Sequence, residues 1–186
     1  MSLPELQKEA LLSWKVGTLA NRWNHLEVWL TYLFAEITGC GSTFSFAILN
    51  SIVNFKSKLD AIDTAYNISF KNDQNKIDEW RIIHKRITKI AAKRNKIIHN
   101  IQFIEDNEIK IGNPLDVIAR GKNASNWSIA DIDVCIKEIT HMESEVRGLV
   151  HGVKEHLSHM HLSRLLLRHH DEGWKIPSLD EALKNQ

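Results

Sequence analysis

Reading back from Ile97 in steps of three and four meets Arg94, Ile90, Ile87, Ile83 and Trp80. A row at that spacing is the buried face of a helix. It constrains the chain more than any other feature, because it sets a permanent cation among apolar side chains. Arginine stays protonated under ordinary conditions, so it cannot shed its charge to escape desolvation. Either Arg94 has a carboxylate partner, or it borders a cleft that accepts an anion.

The neighbouring row is polar or small: His84, Thr88, Ala91 or Ala92, Asn95 and His99. The alanines would leave room for a hollow. Asn95 and His99 are four apart, so they lie one turn from each other. Arg94 and His99 sit on adjoining faces and could reach one group between them. A fixed cation, a titratable imidazole and an amide suit a phosphate better than a neutral substrate. Glu27, beside an apolar row on an earlier helix, is a candidate partner for Arg94; the alternative is an exposed surface glutamate.

The rest of the chain reads as further helices. Leu19, Trp23, Leu26, Leu30 and Leu33 give a first long helix, with Pro4 in its opening turn and Gly39 as its stop. Gly17 could kink it. Ser42 or Thr43 caps a second helix over about 44–66, with Phe46, Leu49, Val53, Leu59 and Ile62 on one face. The motif helix follows over about 73–100. Ile101 to Ile104 and Glu108 to Ile111 alternate around a turn, which predicts a β-hairpin. Residues 116–126 read as a loop with a helical turn. Ser128 with Asp131 resembles a capping box. It opens a long helix with Ile132, Ile136, Ile139, Met142, Val146, Leu149, Val153 and Leu157 on one face. Leu162 to Leu167 extends that helix or starts another, and Ser178 with Glu181 could cap a terminal turn. The expected fold is all-α: an up-and-down bundle of four to five helices with a small β-hairpin after the motif helix, one domain over 1–186.

A net charge of +1 argues against an extended basic surface for duplex nucleic acid, yet leaves room for a local phosphate site. Cys40 and Cys135 are read as free thiols in a reducing compartment. No window approaches the ~20 apolar residues of a membrane span, and the start lacks a signal-peptide pattern, so a cytoplasmic protein without a membrane partner is expected. His151, Glu155 and His159 have a permissible metal spacing but read as a solvated helix face, so no metal or other cofactor is expected. His25 and His84 read as partly buried, hydrogen-bonded histidines. The tryptophans read as core or dimer contacts.

Arg94-Asn95-x-x-x-His99 at the end of an amphipathic helix resembles the signature of the HEPN superfamily (higher eukaryotes and prokaryotes nucleotide-binding domains). That pattern is Arg, four to six residues, then His, with a polar residue, often Asn, after the Arg. The resemblance is sharp over the motif helix and architectural elsewhere. It implies a metal-independent endoribonuclease of toxin–antitoxin or phage-defence type. It also implies a homodimer whose two motifs line one cleft, with RNA as substrate and an antitoxin or regulatory protein as possible partner. Arg94, Asn95 and His99 would be catalytic, with Glu27 supporting, and the product a 2′,3′-cyclic phosphate. Other superfamily members are non-catalytic nucleotide-binding, RNA-binding or interaction modules, which is the alternative. In one subset a modified tyrosine lies two residues after the His; here that position is Ile101.

Overall fold

A computed structural model of the chain describes residues 3–99, 101–105, 108–112, 125–126 and 128–171, with side chains for 6–99 and 128–158. The chain divides into two compact units, residues 1–150 and 151–186. Its helices are α1 (Leu3–Thr38), α2 (Gly41–Ser51), α3 (Phe55–Ser69), α4 (Gln74–His99) and α5 (Ile129–Asp171). Helices dominate, and the fold is an all-α bundle. Between α4 and α5, β1 (Ile101–Glu105) pairs antiparallel with β2 (Glu108–Gly112), from Ile101 opposite Gly112 to Glu105 opposite Glu108. A two-residue β3 (Ser125–Asn126) adds to the other edge of β2, where a loop had been expected. Residues 113–124 and the expected Ser178–Glu181 cap lie outside the described residues.

Helix α1 buries Leu19, Trp23, Leu26, Leu30 and Leu33, the row its spacing predicts. It runs unbroken through Gly17, around which a Cβ would meet open space. Gly39 takes φ 67° just after the last turn and donates its N–H to Ala35 O at 2.9 Å. That left-handed conformation stops the helix at little steric cost for glycine. The chain bends by 120° into α2. Neither Ser42 nor Thr43 caps α2; Cys40 holds the N-cap position, and its side chain makes no capping hydrogen bond to the helix.

The helix expected over 44–66 is two helices. Ser51 Oγ turns back to Ile48 O at 2.6 Å, Ile52 is extended, and Asn54 Oδ1 accepts from Lys56 N at 2.8 Å as the N-cap of α3. Asn and Ser compete for backbone hydrogen bonds in this way, which is why they end and start helices. Val53, expected on the buried face, is 98% exposed in the break.

Helix α4 buries Trp80, Ile83, Ile87, Ile90 and Ile97. Each such side chain contributes about 1.5–3 kcal/mol on burial. Asp73 Oδ1 accepts from Lys76 N at 3.2 Å and closes the first turn of α4. On α5, Ile132, Ile139, Met142, Val146 and Leu149 are buried as expected, but Cys135 takes the inward position assigned to Ile136. The helix also covers Leu162 to Leu167 without a break. No single helix, among the described residues, is long and apolar enough to cross a membrane.

Candidate functional site

Arg94 occupies the inward row of α4 close to its C-terminal end. Its neighbours in the row are buried, while Arg94 itself is half-buried and Asn95 and His99 are exposed. The guanidinium is therefore split between two environments. Its Nε is buried and bonds nothing among the described residues. Its Nη1 reaches outward, donating to Asn95 Oδ1 at 2.9 Å and lying 3.5 Å from His99 Nε2. The three side chains of the sequence motif thus meet at one edge of one helix, with Arg94 Nη1 as their common point.

Beneath the guanidinium lies Trp23 of α1, its ring centroid 5.5 Å from Arg94 Cζ. A cation over an indole face gains about 0.5–2 kcal/mol, more as it is desolvated. Trp23 Nε1 donates to Glu27 Oε1 at 2.6 Å, one turn further along α1. Glu27 Oε2 accepts from Lys58 Nζ of α3 at 3.1 Å. A chain of contacts therefore links Arg94, Trp23, Glu27 and Lys58 across three helices.

This geometry changes the role expected of Glu27. Its two oxygens accept from Trp23 and Lys58 rather than from Arg94. It still acts on Arg94 through space. Burial pushes the Arg94 pKa below its ordinary value, and the Glu27 charge pushes it back up. Trp23 and Lys58 were not foreseen as parts of the site. The Trp23–Glu27 pair had a signal, a four-residue step on one helix face. Lys58 had none, because it joins Glu27 from 31 residues away.

The hollow expected beside Ala91 and Ala92 is not lined by the motif in either described cavity. One cavity of about 250 Å³ lies among α1, α2 and α3, with Glu27 and Lys58 in its lining. Another of about 190 Å³ lies between α4 and α5. There Arg86 bonds Glu145 at 2.6 and 2.7 Å and Lys93 bonds Glu138 at 2.7 Å, so two of its cations are already matched by carboxylates.

The histidines expected to be partly buried divide. His84 is half-buried, with its ring 5.8 Å from Trp80 and Nε2 without a hydrogen-bond partner; His25 is exposed. Trp23 and Trp80 are at most 1% exposed, so they present no surface to a second copy. Among the described residues no group of three or more His, Cys, Asp or Glu is placed to hold a metal ion. His159, the third residue of the His151, Glu155 and His159 spacing, lies outside the residues whose side chains are described.

No family model, no curated protein and no solved structure matches the chain.

Proposed function

We propose that this protein is a metal-independent endoribonuclease of the HEPN type, acting in the cytoplasm in a toxin–antitoxin or phage-defence setting. The observation that carries the reading is the convergence of Asn95 Oδ1 and His99 Nε2 on Arg94 Nη1, at 2.9 and 3.5 Å. The chemistry follows from the residue types. His99 Nε2, turning its lone pair from Arg94 Nη1 to the substrate, takes the proton of a ribose 2′-hydroxyl. The 2′-oxygen attacks the adjacent phosphorus, and the bond to the 5′-oxygen breaks, leaving a 2′,3′-cyclic phosphate. Arg94 meets the negative charge that builds on the phosphoryl oxygens. Asn95 fixes the guanidinium by accepting from it. A second copy of the chain supplies a second imidazole in its protonated form, so that one ring accepts the 2′ proton and the other protonates the leaving 5′-oxygen.

A non-catalytic anion-binding module is the second reading. It is favoured by the buried inner edge of Arg94, which suits holding a phosphate more than moving with one. Incubating the full chain with RNA in EDTA separates the two. The nuclease reading expects cleavage with cyclic-phosphate ends, and His99→Ala, an exposed position, lowering the rate by about 10²–10⁴-fold with helix content unchanged. Binding of RNA without cleavage by the wild-type chain, with or without divalent ions, establishes the module instead.

A further inference from the structure

The 250 Å³ cavity among α1, α2 and α3 has a neutral pair of charges in its lining, Glu27 and Lys58, and no other ionised side chain. Leu30, Thr31, Leu49 and Ile62 are the buried part of its lining, with the Thr31 hydroxyl already donating to Glu27 O, while Asn24 and Asn50 are exposed carboxamides at its edge. We propose that this cavity binds a small zwitterion with an apolar side chain, of the α-amino-acid class.

Charge selects the class. A ligand carrying only a carboxylate meets Lys58 but also faces Glu27, 3.1 Å from it. A ligand carrying only an ammonium has the converse problem. With the two side chains 19% and 27% exposed, the pair is screened by water only in part, so an unmatched ligand charge is penalised. A ligand with both charges matches both.

Hydrogen-bonding capacity allows the match without breaking what is there. An ammonium has three N–H donors, and Lys58 gives one to Glu27. The others can take a ligand carboxylate. Glu27 Oε1 is engaged by Trp23, while Oε2 accepts one bond from Lys58 and keeps a lone pair for a ligand ammonium. The carboxamides of Asn24 and Asn50 can add to either end.

Size sets the scale of the ligand. The cavity equals about eight waters at ~30 Å³ each, below the ~300–1,000 Å³ that houses drug-sized molecules. That is room for one amino acid, its side chain against Leu49 and Ile62. The proposal stands whether or not the chain cleaves RNA.

Titration calorimetry of the full chain with L-phenylalanine, 3-phenylpropionate and 2-phenylethylamine tests it. L-Phenylalanine is expected to bind saturably, and the two single-charge analogues at least tenfold more weakly. Leu49→Trp, which fills the floor, and Asn50→Trp, which blocks the edge, should each remove binding; the exposed Asn50 position serves if the Leu49 variant fails to fold. Lys58→Met should weaken L-phenylalanine at least tenfold and 2-phenylethylamine less. Equal binding of 3-phenylpropionate overturns the zwitterion. So does silence from both L-phenylalanine and L-leucine up to about 10 mM, beyond the ~1 mM scale of weak binding. Binding that survives Asn50→Trp in a folded chain overturns the assignment to this cavity.

Discussion

Arg94 has only donors to offer, and this fixes the state of its neighbours. A guanidinium cannot accept, so the contact to His99 Nε2 is a hydrogen bond only while that nitrogen is bare and the ring proton sits on Nδ1. Asn95 presents its oxygen to Arg94, which leaves its NH₂ to donate outward. The positions of Arg94, Asn95 and His99 were legible in the sequence because helical geometry turns a four- or five-residue step into a predictable neighbour. The partner of Glu27 was not, since pairing between helices follows packing rather than spacing. Double-mutant cycles put a number on the difference. Glu27→Gln with Lys58→Met should show a coupling of about 1 kcal/mol in urea unfolding, the range of a partly exposed, well-formed pair. Glu27→Gln with Arg94→Met should couple more weakly, because only the field connects them. A larger Arg94 coupling would restore the direct ion pair.

At the scale of elements, the capping box of α5 is the clearest case of a local signal that folds as read. Ser128 N and Oγ both donate to Asp131 Oδ2 at 2.7 Å, and Asp131 N donates to Ser128 Oγ at 3.2 Å. These bonds hold the Asp131 carboxyl below its usual range. The folded state therefore binds this proton less readily than the unfolded chain. The cap contributes fully above the unfolded carboxyl pKa of about 4, and its contribution is lost as pH falls through the folded value. Amide exchange at the first turn of α5 should accelerate relative to the rest of α5 on acidification, and Asp131→Asn should remove that pH dependence. The break between α2 and α3 was harder to read. Phe46, Leu49 and Val53 step by three and four up to it, and Leu59 and Ile62 resume that spacing beyond a six-residue step; reading them as one face masked the turn chemistry of Asn50, Ser51 and Asn54. Here backbone capping overrode the apolar pattern, and Val53 was left in solvent. The long rows of α1 and α4 carried no such competing signal and folded as their spacing predicts.

For the whole molecule, a net charge of +1 limits how it can hold a polyanion. If binding rests on Arg94 from each of two copies, about two phosphates are neutralised. The slope of log affinity for single-stranded RNA against log salt should then be about −1.4, far shallower than for a protein with a basic face. A slope steeper than about −4 would point to a wider cationic surface. The proposed pairing needs another apolar surface now that Trp23 and Trp80 are known to be inside; Phe44 and Val53, 71% and 98% exposed, offer side chains for it. Sedimentation of the wild-type chain and of Phe44→Glu tests that surface, a dimer being expected for the first and a monomer for the second. The two thiols also differ across the molecule. Burial pushes Cys135 up to about 11, whereas Cys40 stands exposed at the bend between α1 and α2. Thiol titration at neutral pH should count one reactive group per native chain and two after denaturation. The unaltered protein thus comes with a single address for a fluorophore or spin label, set at the corner where two helices part company.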